Sequence, residues 1–231
     1  MMSTLLIGVV IIGLLVCMAA AMMFRSMFIA TRGKKIGSYQ HPRKALVVLD
    51  IQEGYSGTNA RQPVTAPPTT GMLATVNRLI DMASESAMEV AYIRQVFSNN
   101  LFVRLHGGRR VGKVIIDRRI KVINGNDFEK NRTDAFSSRP FEQLLIDRHV
   151  DELYLVGVDA AFCVYYTACG ALNRGYRVVV VTDAVASRNN MEDVLERYRR
   201  KGIGVITSEQ LISSFDQHHS TGSRHDTTKK F

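Results

Sequence analysis

Residues Leu155–Ser187 read LVGVDAAFCVYYTACGALNRGYRVVVVTDAVAS, and this stretch decides the fold class. It opens on a short apolar run, Glu152–Val158, continues through a helical segment, Phe162–Asn173, and returns to a branched apolar run, Arg177–Thr182. Gly175 stands where a helix C′ residue is expected. Strand, helix, strand over so short a distance is a parallel crossover unit. Working outward, Lys44–Gln52 (KALVVLDIQ) and Glu89–Phe97 (EVAYIRQVF) are further strands, and Gly204–Thr207 is a short one. Between them, Gly71–Ala87, Pro140–Arg148, Met191–Lys201 and Ser208–Phe215 carry helical spacing. The alternation predicts an α/β domain over residues 44–215, a three-layer, Rossmann-like parallel β-sheet with helices on both faces. The proline loop with Pro63, Pro67 and Pro68 interrupts it after the first strand.

Ahead of the domain lies LLIGVVIIGLLVCMAAAMMF, Leu5–Phe24, twenty residues without a charge. Twenty helical residues cover roughly 30 Å, the thickness of a bilayer's hydrocarbon core. The run has no polar stripe, lacks a basic residue before it, and continues past Ala19–Ala21, so a retained single-pass transmembrane helix is expected rather than a buried helix or a cleaved signal. The first 44 residues hold six basic residues and no acids, all six after the apolar run. Positive flanks stay on the cytoplasmic side, which predicts a membrane protein whose C-terminal domain lies in the cytoplasm. Residues 25–43 then read as a basic juxtamembrane linker able to touch anionic headgroups. Residues 216–231, with His218, His219 and His225, read as a disordered polar tail.

The chain's formal charge of +9 is mostly this flank, because residues 45–215 hold 21 basic against 19 acidic residues. A nearly neutral domain is not expected to bind nucleic acid. Three cysteines without a pairing pattern fit a reducing compartment. Gly107–Val114 (GGRRVGKV) lacks the hydroxyl and the following helix that a phosphate loop needs. The surrounding Arg104–Lys121, with seven basic residues and one acid, is a solvated loop or an attractor for an anionic substrate.

Ligands of open parallel sheets bind at the carboxyl ends of the strands. Asp50 ends the first strand, Cys163 starts the helix after the strand ending at Val158, and Lys130 follows the apolar patch Ile120–Ile123. A thiol at a helix N-terminus beside an ammonium is driven toward the thiolate. Asp50 could take its proton, and backbone amides at the helix start could hold an oxyanion. Cys169, six residues on, faces elsewhere and reads as core.

LVVLDIQEGY (Leu46–Tyr55), FEKNRTDAF (Phe128–Phe136) and the Leu155–Ser187 stretch occur in this order, and together they resemble the isochorismatase-like cysteine hydrolases over about residues 44–207. The resemblance implies catalytic Asp50 as proton carrier, Lys130 as electrostatic partner and Cys163 as nucleophile. It implies a cis Val158–Asp159 peptide and an oxyanion hole from the amides of Asp159 and Cys163. Gln52, Tyr55 and Phe136 are expected from their motif positions to line the substrate pocket or, equally, to pack behind it. The expected reaction is cleavage of an amide-type C–N bond of a small molecule through a Cys163 thioester, with no cofactor and no metal. The family's nicotinamidases bind a metal through a D-x-H motif, and Arg94–Phe102 (RQVFSNNLF) has neither Asp nor His. Ala160 stands where the family commonly has Thr, and Asp159 is expected to turn its carboxylate away from the pocket. The alternatives are vinyl-ether hydrolysis with Asp50 as acid, and a non-catalytic scaffold in a membrane assembly. Self-association into a homo-oligomer is allowed by the resemblance, and no sequence feature fixes it.

Overall fold

A computed structural model describes residues 2–53, 69–96 and 114–222. In chain order the elements are α1 (Met2–Phe28), β1 (Arg43–Leu49), α2 (Thr70–Glu85), β2 (Glu89–Gln95), β3 (Asp127–Lys130), α3 (Arg139–Asp147), β4 (Val150–Val158), α4 (Tyr165–Asn173), β5 (Arg177–Ala186), α5 (Met191–Arg200), β6 (Gly204–Ile206) and α6 (Ser208–Gly222). A single 3₁₀ turn, Ala135–Ser137, precedes α3, and a π turn, Ala160–Val164, leads into α4.

The six strands form one sheet in the order β3-β2-β1-β4-β5-β6. Every strand pair is parallel. Strand order reverses direction of growth at β1, with β2 on one side and β4 on the other, which is where such sheets open a crevice for ligands. The alternation along β1 builds the three layers. Ala45, Val47 and Leu49 point into a core with α3, α4 and α5, including Phe141, Leu145 and Tyr198. Leu46 and Val48 point the other way, against Val76, Leu79 and Ile80 of α2 and Leu211 of α6. All five of these β1 side chains are buried, as expected for a strand covered on both faces. The sequence's α/β parallel-sheet expectation is therefore met.

Capping explains where the helices start. Thr69 accepts the Met72 amide ahead of α2, and Asn190 accepts the amides of Glu192 and Asp193 ahead of α5. Pro140 occupies the first turn of α3, where its missing N–H has no partner to lose.

Three segments differ from the sequence expectation. β3 is a strand that apolar periodicity does not reveal, since Phe128 is its one apolar residue. Residues 216–222, expected in a disordered tail, continue α6. Residues 25–43 are not a free linker: their first part closes α1, and the chain from Thr31 onward lies against the domain. The Thr31 amide and hydroxyl both donate to Asp134 Oδ2 at 2.7 Å. Thr31 O accepts Asn173 Nδ2 at 2.8 Å, the Ile36 amide donates to Arg174 O, and Tyr39 stacks on His149.

α1 is 27 residues long. Its described large apolar side chains, from Ile7 to Phe24, are more than half exposed. Among the described residues, no helix is long and apolar enough to cross a membrane. The transmembrane span expected over 5–24 thus finds no support among the described residues.

Candidate active site

Asp50, Lys130 and Cys163 come together at the carboxyl end of the sheet. Asp50 leaves β1 with φ 55°, a left-handed conformation that Asp tolerates better than most residues. Its amide donates to Ile93 O at 2.9 Å, which ties the turn to β2. Lys130 ends β3 opposite Gln95, its partner in the parallel register. Cys163 lies in the π turn after β4.

The Lys130 ammonium is the hub. Its Nζ lies 2.8 Å from Asp50 Oδ2 and 3.2 Å from Cys163 Sγ. It also donates to Gln95 Oε1 at 2.8 Å, Thr133 O at 3.1 Å and Arg132 O at 3.3 Å. Lys130 is 1% exposed and Asp50 3%, so this ion pair is out of water, where its partners must be complete. Burial works to lower the Lys130 pKa, and the negative charge of Asp50, with Cys163 and the hydrogen bonds to both, outweighs it and holds the amine above its ordinary value. Asp50 Oδ1 is different: it is buried and accepts no hydrogen bond from the described residues. A carboxylate oxygen left open beside a thiol is placed to receive a proton.

The thiol itself is not the low-pKa group expected from its position at a helix start. Burial, then the charge of Asp50, push Cys163 up to about 12 against the pull of Lys130. Desolvation of a thiolate and repulsion by a carboxylate exceed the stabilisation from one ammonium that Asp50 already shares. The resting site is therefore thiol, ammonium and carboxylate. Alkylation of Cys163 by iodoacetamide should be slow at pH 7, with a midpoint above the free-thiol value of about 8.5. Asp50→Asn removes the charge that opposes the thiolate and should move that midpoint down. A wild-type midpoint well below 8.5 would contradict this electrostatic balance.

The same shift sets a stability trend. Cys163 keeps its proton to higher pH in the folded state than in the unfolded chain, so the folded state binds more protons above about pH 8.5 and stability falls as pH rises. Lys130, also raised, contributes stability that is complete below its unfolded value near 10.4 and is lost above it. Urea midpoints should accordingly decline between about pH 8.5 and 11, and Cys163→Ala should remove the earlier part of the decline.

The turn that carries Cys163 is built from Asp159. The Val158–Asp159 peptide is cis, as the resemblance implies. Asp159 Oδ1 accepts the Ala161 amide at 2.8 Å and the Ser187 hydroxyl at 2.6 Å. Its carbonyl accepts the amides of Phe162 and Val164. The carboxylate is thus committed to capping the turn, as its expected direction away from the pocket requires. The Cys163 amide is not among the amides that Asp159 accepts.

Of the residues expected to line the pocket or pack behind it, Gln52 and Phe136 make packing and supporting contacts. Gln52 is fully buried, and its side chain brackets the Gln95 backbone, Oε1 accepting the amide at 2.9 Å and Nε2 donating to the carbonyl at 3.2 Å. Gln52 therefore fixes the residue whose side chain holds Lys130. Phe136 packs in the core between Phe141 and Tyr176, with the Arg174 guanidinium over its ring. Its neighbour Asp134, which caps the 3₁₀ turn, draws the motif inward. Tyr55 lies outside the described residues, as do residues 97–102, the phosphate-loop look-alike over 107–113 and most of the basic stretch 104–121. Gln95 is the functional position that sequence reading missed. Its signal was the end of a strand beside the one bearing Lys130, legible only once β3 is known to exist. Among the described residues no group of three or more His, Cys, Asp or Glu side chains could hold a metal ion.

Comparison with known proteins gives the family. The family model for the isochorismatase domain matches residues 44–210, and the chain belongs to the isochorismatase family. Members of this family are hydrolases, amidases among them. An uncharacterized isochorismatase family protein, PncA, of Bacillus subtilis is 46% identical over 61 residues, which span 26% of this chain and 33% of that protein. The N-carbamoylsarcosine amidase of an Arthrobacter species is 24% identical, over 63% of this chain and 60% of its own. This chain thus spans a third and three fifths of these two curated relatives. Among solved structures, the N-carbamoylsarcosine amidase of Thermoplasma acidophilum superposes with a TM-score of 0.60 at 26% identity, covering 72% of this chain and 96% of that one.

Proposed function

We propose that this protein is a membrane-anchored cysteine hydrolase that cleaves an amide-type C–N bond of a small molecule. The observation that carries the reading is the Lys130 ammonium set between Asp50 Oδ2 at 2.8 Å and Cys163 Sγ at 3.2 Å, with no donor to Asp50 Oδ1 among the described residues. The likeness to two N-carbamoylsarcosine amidases supports an amide rather than an ester or ether as substrate.

In this mechanism Asp50 removes the thiol proton as Sγ attacks the carbonyl carbon, and the nascent thiolate meets the Lys130 charge at once. A C–S bond forms, and the oxyanion is held by the amides of Asp159 and Cys163. Asp50 then gives its proton to the leaving nitrogen as the C–N bond breaks, leaving a thioester. Water, deprotonated by Asp50, attacks the thioester; the acid departs and the thiol is restored. A high resting thiol pKa suits this route, because the proton has to move only when the carbonyl is in place.

The anchor is part of the proposal. α1 carries exposed apolar side chains along its described length, and the basic residues Arg25, Arg32, Lys34 and Lys35 all follow that apolar run. With α1 in a bilayer, the positive flank keeps the domain on the cytoplasmic side. Carbonate extraction should leave the full chain in the membrane fraction, whereas release would remove the anchor from the account. A screen of small primary amides and N-carbamoyl compounds, read by ammonia release, tests the chemistry. Turnover by the wild type that Asp50→Asn lowers by roughly 10³-fold is expected. Cleavage indifferent to Asp50 would refute the proton route.

A further inference from the structure

The end of α1 meets the nucleophile's own turn. Phe28, in the last turn of α1, packs edge-on against Phe162 and Tyr166, each with ring centroids 6.4 Å away. Phe24 extends the aromatic stack back along α1 at 4.7 Å. Phe162 immediately precedes Cys163 and is 43% exposed. Phe162 and Tyr166 are four apart, so they share one helical face, and that face lies at the carboxyl end of the sheet with Asp50 and Lys130. From Phe28 to Thr31 there are three residues, a reach of at most roughly 11 Å. Thr31 is fixed to the domain by Asp134, Asn173 and Arg174. Asn173 and Arg174 end α4, toward the amino end of the sheet, and from there the chain runs to Tyr39, against His149 just before β4. α1 therefore meets the domain at the active-site end, and the chain after it runs down α4 to the clamp at Thr31.

From this juxtaposition of the α1 terminus with the Cys163 turn we propose that the active-site end of the domain faces the bilayer surface, and that the substrate is an amphiphile bearing its amide at the headgroup level. This rests on the anchored-amidase reading above. Phe24, Phe28, Phe162 and Tyr166 form an aromatic collar of the kind that settles at the membrane–water interface. A substrate already concentrated in that layer would reach Cys163 without crossing bulk water.

The chain contains no tryptophan, so one introduced indole reports its own depth. The full chain, as Phe162→Trp or as Tyr39→Trp, would be reconstituted into vesicles of phosphatidylcholine with a minority of phosphatidylglycerol and a headgroup nitroxide lipid. Quenching of the F162W indole should exceed that of the Y39W indole at least about twofold. Equal quenching would overturn the placement. In the same vesicles the wild type would be given linear primary amides of four to twelve carbons. The expected kcat/KM rises at least about tenfold along the series, since each added methylene favours the membrane layer. Hydrolysis with a flat series would overturn the amphiphilic substrate while leaving the amidase reading intact. Hydrolysis of no amide at all would overturn both, and the quenching contrast would then report the placement alone.

Discussion

Lys130→Met is expected to destabilise the protein by about 3–5 kcal/mol and to abolish amide hydrolysis. The methionine matches the lysine stem in length and removes the ammonium, both its charge and its donors. What it leaves behind is Asp50, 3% exposed, without its cation, while Gln95 Oε1, Thr133 O and Arg132 O each lose the ammonium they accept. A buried charge stripped of its partner costs more than the pair contributed, because the desolvation remains and the attraction is gone. Asp50→Asn in the Lys130→Met background should recover a good part of the lost stability, as the uncompensated charge disappears. It should recover none of the activity. Urea denaturation and ammonia release on the two variants separate these effects. Full stability in the single variant would mean that the ion pair is not as dry as its burial indicates.

Gly157→Ala should be comparably severe for a different reason. Gly157 has φ +119°, where side chains are strained, and a Cβ placed there would fall 2.0 Å from the Leu49 carbonyl oxygen. The obstacle is backbone, on the strand that ends one residue before Asp50, and β4 already shifts register between Leu155 and Gly157 to meet β5. Either β1 and β4 part, or the cis turn after Val158 moves. A loss of at least about 3 kcal/mol is expected, or a fall in Tm of about 6–12 °C for a domain this size. The displaced Asp50 and Cys163 should lower kcat further than KM rises. Thermal melting with steady-state rates checks both, and an unchanged Tm would show that the close approach of the two strands is not required.

Much of this was legible from the chain because the strands that matter are buried on both faces. Leu46–Leu49 and Val178–Val181 have no polar residue to hide them, and alternation with helical segments then fixes a parallel sheet. Asp50 and Cys163 were legible at the ends of two apolar runs, and their roles with Lys130 came from the resemblance of the three motifs to the family. β3 was not, since an edge strand of Asp, Phe, Glu and Lys carries no apolar run. Without β3 there is no reason to pair Gln95 with Lys130, and Gln52 reads as a pocket residue rather than as the clamp on Gln95. The thiol's electrostatics were misjudged for a related reason. Spacing shows a helix start and a lysine, while the desolvation and the carboxylate facing the sulfur exist only in three dimensions. The segment after α1 looked like a linker because its residues are small, polar and basic. Its bonds to Asp134, Asn173 and Arg174 join parts of the chain more than a hundred residues apart, which no local pattern encodes.

The thioester is the central claim, and kcat/KM of Cys163→Ala on an amide that the wild type cleaves tests it most directly. The account predicts a loss of roughly 10³-fold or more, with melting and secondary structure retained, because Asp50 and Lys130 without a nucleophile have nothing to activate. A Cys163→Ala variant that keeps activity within a few fold of wild type would contradict it and would assign the chemistry to Asp50 without a covalent intermediate.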